Sequence, residues 1–189
     1  MFQIEQGGGK IMSSFQIAAV VAGLTAALIV GAFLTVGGVL IWAVFLGWAS
    51  FAAMGVDNRS PGINVASNAF GSFVGWLLAV LALMNPVSAL PSTMWITVLT
   101  FFSVVTYIYG SKIRWFASIP AAAIGFAGTF GYIVQTTGAF TLEALLSPSL
   151  QNTVLLVSLS MAVGTIFAVA CTKVTGFLIG KLATEPRTT

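Results

Sequence analysis

The sequence has no histidine, one cysteine, one aspartate and little charge of either sign: Asp, Glu, Lys and Arg make up 6% of its 189 residues. Each shortage excludes something. Soluble domains carry about a quarter charged residues, so this chain could not cover its own surface in water. Without histidine it lacks the commonest transition-metal ligand and the commonest general base. Cys171 alone permits no intrachain disulfide and leaves the redox compartment open. Asp57 alone permits no paired-aspartate site, and no histidine can activate a serine. Neither an enzymatic activity nor a cofactor or metal is expected.

What the chain does have is hydrocarbon. Hydrophobic residues make up 58% of it, in recurring runs of about 20, each long enough to cross a ~30 Å hydrocarbon core as a helix. The reading is an all-α polytopic membrane protein with six transmembrane helices and the lipid bilayer as its main partner. Breakers place them at 14–35, 39–55, 62–84, 93–110, 115–137 and 151–180. Gly37–Gly38 makes the first turn, Asp57-Asn58-Arg59-Ser60-Pro61 the second, and Asn85-Pro86 with Pro91-Ser92 brackets the third. Gly110-Ser111-Lys112 ends the fourth helix, and 138–150, with Glu143 and Pro148, is the longest loop. Residues 1–13 and 182–189 read as flexible cytoplasmic tails around a membrane domain at 14–181. The opening MFQIEQGGGKIM has one basic residue before the apolar run, so no cleaved export signal is expected there. The sequence does not decide between Met1 and Met12 as the start.

Charge gives the orientation. Lys10, Arg59, Lys112, Arg114, Lys173, Lys181 and Arg187 all fall on the side of the amino terminus, and the three opposite loops hold none. By the positive-inside rule both termini are cytoplasmic. The sequence pI near 9.4 follows from this asymmetry, and no nucleic-acid partner is expected.

The third helix is the least hydrocarbon-like. At 100° per residue Asn64, Ser67, Asn68, Gly71, Ser72 and Gly75 share an arc of about 140°, opposite Ala66, Ala69, Phe70, Phe73 and Leu77. An unpaired amide in hydrocarbon costs several kcal/mol, so that face must meet protein, water or a ligand. Helix packing through Gly71 and Gly75 is one reading, because small residues let backbones approach. A polar pathway past Asn64 and Asn68 is the other. The fifth helix offers a matching face of Ser118, Ala121, Ala122, Gly125, Thr129, Tyr132 and Thr136, with Gly128 beside it as a further packing glycine. Ser158, Ser160, Thr165 and Thr172 scatter around the sixth helix and define no face. Trp42, Trp95, Trp115, Tyr107 and Tyr109 lie near span ends and read as interfacial anchors. Gly71-Ser72-Phe73 recurs as Gly128-Thr129-Phe130, which would relate two hairpins by an axis along the membrane normal.

Residues 42–55, WAVFLGWASFAAMG, hold Trp42, Phe45, Gly47, Trp48, Phe51 and Gly55 in a compact aromatic–glycine signature. With six short spans and a glycine-rich third helix, this resembles a family of uncharacterised bacterial inner-membrane proteins, catalogued as domain of unknown function 1097. The resemblance covers roughly residues 14 to 180. It implies a bacterial inner-membrane location and no substrate.

No charged residue lies in the middle of a span, which argues against proton coupling and voltage sensing. The expected function is a channel or facilitator for a small neutral hydrogen-bonding solute, urea or an amide. Its pathway residues would be Asn64, Ser67, Asn68, Ser72, Thr129 and Tyr132, and its packing residues Gly71, Gly75, Gly125 and Gly128. The competing expectation is a structural or interaction protein whose Gly/Asn/Ser face packs against a partner. A homo-oligomer fits either.

Overall fold

In the computed structural model of the chain, residues 13–55, 60–87, 89–150 and 152–184 are described. Most of both tails and the Asp57–Arg59 part of the second turn lie outside them. The described residues form seven α-helices and no strand: α1 (Ser14–Val36), α2 (Ile41–Ala53), α3 (Pro61–Met84), α4 (Ser92–Gly110), α5 (Ile119–Gln135), α6 (Leu142–Leu146) and α7 (Thr153–Thr184). By length and composition α1, α3, α4 and α7 could each cross a membrane, whereas α2 and α5 are apolar but shorter, at 13 and 17 residues.

Local chemistry sets the ends. Ser13 caps α1 in a reciprocal box with Gln16, Ser60 caps α3 ahead of Pro61, and Ser118 caps α5. Gly37 and Gly38, at φ 71° and 82°, make the turn after α1 that a side chain would resist. In the helix inventory two features differ most from the sequence reading. The expected helix at 115–137 begins instead at Ile119, after a separate 3-10 turn at Arg114–Phe116. Pro120 has no N–H for the preceding turn, so the helix must restart just before it. The long loop also holds α6, capped by the Thr141 hydroxyl, which accepts from Ala144 N.

Four helices form the core, and α1 and α4 lie outside it: buried residues make up only 17% and 11% of their most apolar windows, against 50% in α3. Directions follow from the contacts. Leu40 meets Ser160 and Val44 meets Gly164, so α2 and α7 run parallel. Ser67 meets Ser118, Gly71 meets Ala122 and Gly75 meets Phe126, so α3 and α5 run parallel too. Trp42 stacks on Tyr132 while Ala53 and Met54 lie beside Ser118 and Pro120, so α2 and α5 are antiparallel.

Both parallel crossings use one device. A Cβ on Gly71 would overlap the Ala122 carbonyl, and one on Gly125 would overlap the Asn68 carbonyl. In the same way Gly47 faces the Met161 carbonyl and Gly164 the Val44 carbonyl. Each glycine thus presses its Cα–H toward an oxygen of the other helix, a contact only glycine allows.

The two crossings are copies. The shift that carries Ser14, the first residue of α1, onto Ser92, the first of α4, also carries Leu40 onto Ser118 and Gly47 onto Gly125. A second shift carries Ser67, Gly71 and Ser72 of α3 onto Ser160, Gly164 and Thr165 of α7. The hydrogen bonds obey this register. Leu40 N donates to Ser160 Oγ at 2.9 Å, and Ser118 N donates to Ser67 Oγ at 3.2 Å. Equivalent helices run in opposite directions, so α1–α2–α3 and α4–α5–α7 form an inverted repeat of the kind found in many transporters. The sequence reading paired α3 with α5 about an axis along the membrane normal. The contacts make α7 the equivalent of α3, and α5 the helix it packs against.

Candidate functional site

The close crossings draw the polar residues of α2, α3 and α7 into one buried centre. Asn64, fully buried, donates from Nδ2 to Thr165 Oγ1 at 2.8 Å and to the Gly47 carbonyl at 3.3 Å. Asn68, also buried, donates from Nδ2 to Ser50 Oγ at 2.8 Å. Both receiving hydroxyls use their own proton elsewhere: Ser50 donates to the Gly47 carbonyl at 2.9 Å, and Thr165 to the Met161 carbonyl at 3.1 Å. Each hydroxyl can then only accept, which fixes the orientation of both amides. The consequence is specific. Oδ1 of Asn64 and Oδ1 of Asn68 are buried and have no hydrogen-bond partner. Leaving such an acceptor dry costs about 1–3 kcal/mol. Thr129 Oγ1 is buried without a partner as well. The Gly125 carbonyl one turn before it accepts instead from Ser72 Oγ, at 3.3 Å.

The expected pathway residues therefore fall into three places. Asn64 and Asn68 form the centre. Ser67 and Ser72 are buried on the α3–α5 seam, each bonded to the backbone of α5 or its cap, and Thr129 lies one turn beyond on that seam. Tyr132 is half-buried, with its ring 6.2 Å from Trp42. Of the expected packing glycines, Gly71 and Gly125 are the reciprocal pair described above, and Gly75 faces the Phe126 carbonyl more loosely at 2.9 Å. Gly128 faces side chains instead. A Cβ there would stand 2.8 Å from Met161 Cε, 3.2 Å from Leu46 Cδ1 and 3.5 Å from Trp42 Cζ3.

Two cavities open along the groove between α2 and α5. One, of about 320 Å³, is lined by Ala53, Met54, Ile63, Ala117, Ser118 and Pro120. The other, of about 310 Å³, is lined by Trp42, Ala127, Gly128, Gly131, Tyr132, Gln135 and Thr136. They lie at opposite ends of the groove and are related by the repeat, which carries Ala53 onto Gly131, Met54 onto Tyr132 and Trp42 onto Pro120. The Pro120 cavity borders Ile63, next to Asn64. The Tyr132 cavity ends at Gly128, under Met161.

Ser50 and Met161 belong to the site and were not singled out from the sequence, whereas Thr165 of the site and Ser160 of its frame were read there as scattered hydroxyls without a face. A signal for three of them existed: Ser67-Asn68-Ala69-Phe70-Gly71-Ser72 and Ser160-Met161-Ala162-Val163-Gly164-Thr165 share Ser, Ala, Gly and a final hydroxyl in step.

A family profile described as "Protein of unknown function (DUF1097)" matches residues 19–176, and the chain belongs to that family. No curated protein and no solved structure matches the chain.

Proposed function

We propose that the protein is a six-span membrane channel or facilitator for a small neutral solute that donates hydrogen bonds, such as urea or a simple amide. The observation that carries this reading is the pair of buried, unpartnered Asn64 and Asn68 carbonyl oxygens, set in a groove with a cavity at each end. A passing solute needs partners that replace water yet release it again. Free amide oxygens meet that need for N–H and O–H donors, and ionised groups would hold ions instead. The inverted repeat supports a transport role, since such repeats place substrate sites near their axis. On this reading α2 and α5 would cross in step with the longer helices. Lys112 and Arg114 sit just before α5, near Pro120, and α7 carries Lys173 and Lys181 toward that same end, while Glu143 lies toward the other. This charge placement favours cytoplasmic termini. A homo-oligomer in the bacterial inner membrane, conducting passively without proton coupling or enzymatic chemistry, completes the proposal.

In proteoliposomes, urea should equilibrate faster than across protein-free bilayers. Asn64→Leu combined with Asn68→Leu should remove that gain while the protein elutes unchanged. Tetramethylurea, which has no N–H donor, should not compete with urea. Flux persisting in a folded double variant would refute the pathway. The structural alternative draws on a different observation: Ser67, Ser72 and the four crossing glycines all serve contacts between helices. It predicts no solute flux at all and unfolding when these residues are changed.

A further inference from the structure

We infer that Met161 is the apolar gate closing the Tyr132 side of this centre; the inference rests on the pathway proposed above and names what controls it. The repeat makes Met161 the equivalent of Asn68, and Gly128 the equivalent of Ser50. Both pairs stand at the crossings where a side chain from α3 or α7 reaches the α2–α5 groove, but their chemistry differs. On the Pro120 side, Asn68 Nδ2 bonds Ser50 Oγ at 2.8 Å. On the Tyr132 side, the Met161 thioether ends over Gly128, its Cε 2.8 Å from where a Cβ would stand, with Leu46 and Trp42 next nearest. Met161 is fully buried, and Ala43 and Val157 complete its cluster.

These two barriers open differently. A hydrogen bond between an amide and a hydroxyl can be exchanged for one to a donor solute. A thioether among alkyl and aromatic groups offers nothing in exchange, so solute and water are excluded until the side chain moves, as at a dewetting constriction. Methionine suits that task, being unbranched, with three rotatable bonds and no polar group to anchor it. Glycine at position 128 gives its methyl group a seat without moving either backbone. Conduction is then limited by one side chain on one side, although the scaffold is nearly symmetric.

The test uses the full chain in proteoliposomes, with Cys171→Ser to remove the native thiol and Asn68→Cys as the reporter. A small methanethiosulfonate is applied separately from each face. Met161→Ala should speed reaction of the introduced thiol from the Tyr132 face by about tenfold and leave the rate from the Pro120 face unchanged. Met161→Leu, which keeps the volume and the apolarity, should stay slow from both faces. Should Met161→Ala not fold, Met161→Gln keeps the length while hydrating the gate and should show the same one-sided rise. Equal rates from the Tyr132 face in the parent and in the folded variants overturn the gate. A one-sided rise in thiol reactivity, with no rise in urea flux when Met161→Ala is placed in the chain that keeps Asn68, leaves the gate standing and refutes the solute pathway instead.

Discussion

Replacing Gly71 with alanine adds one methyl group at the tightest point of the α3–α5 crossing. Its Cβ would overlap the Ala122 carbonyl oxygen, with the carbonyl carbon and Cα at 2.7 and 2.9 Å. Ordinary carbon contacts begin near 3.4 Å, so three backbone atoms would be too close at once. None of them is the free end of a side chain, and relief requires the two helices to separate. Separation also loosens the reciprocal contact of Gly125 on Asn68, with the Cα–H to oxygen attraction at both glycines, about 0.5–1 kcal/mol each. Overpacking of this kind costs about 1–3 kcal/mol, and rigid backbone on both sides places Gly71→Ala near the upper end, about 3 kcal/mol.

The neighbouring glycines calibrate that figure. Gly75→Ala meets only the Phe126 carbonyl oxygen, at 2.9 Å, with the next atoms at 3.5 Å, and should cost about 1 kcal/mol. Gly23→Ala on α1 meets nothing within 4 Å and should leave stability unchanged or slightly raised. Reversible unfolding of purified protein in mixed micelles gives these values. Coupling provides a second reading: once the crossing has opened for Gly71→Ala, Gly125→Ala should add little, whereas Gly164→Ala, at the other crossing, should add in full. Gly71→Ala with wild-type stability, or two crossings that fail to separate in the double variants, would refute the packing argument.

Ser67→Ala and Ser160→Ala each strip the acceptor from a backbone N–H at the start of α5 or α2, and should lower stability by a similar amount, about 1 kcal/mol, in the same unfolding assay. Trp76→Phe removes the 2.8 Å bond from the indole to the Leu145 carbonyl, so amide exchange across Leu142–Leu146 should rise while that of α3 does not. Ser147→Cys in a Cys171→Ser background should be labelled from outside intact cells, and labelling only after permeabilisation would overturn the proposed orientation. Urea flux should be independent of pH through the neutral range, because among the described residues no titratable side chain lies in the buried centre.

Much of the helix inventory was legible because membrane helices are long apolar runs and their breakers are few. The expected 62–84 and 93–110 differ by one residue at their starts from Pro61–Met84 and Ser92–Gly110. The misses have local causes. At the fifth helix, hydropathy runs on through Trp115 and Phe116, but Pro120 cannot donate to the turn before it, and a 3-10 turn intervenes. At Leu142–Leu146 five residues are too few to show a helical period, and only the Thr141 cap marks the start. Amphipathic position located the buried face of α3 correctly as a face. It could not separate Ser67 and Ser72, bonded to α5 or its cap, from Asn64 and Asn68, which reach α2 and α7.

The repeat was visible in the sequence but read in the wrong register, and the reason bears on the site. No single shift aligns the halves. The connection from α5 to α7 is longer than that from α2 to α3, because it contains α6, so the third helix of each half follows a different shift from the first two. A search at one offset therefore pairs Gly71 with Gly128 and misses Gly164. The correct register turns a list of polar residues into a comparison between halves. Backbone roles repeat: Gly47 with Gly125, Gly71 with Gly164, Ser67 with Ser160. Side chains at the centre do not, since Asn64 stands opposite Val157 and Asn68 opposite Met161. The repeated set closes the crossings and the amide nitrogens bridge α3 to α2 and α7, but neither role gives a reason for the two unpartnered Asn oxygens in one half and a thioether on a glycine seat in the other. The proposed solute pathway, with a polar centre and an apolar gate on one side, would give that reason.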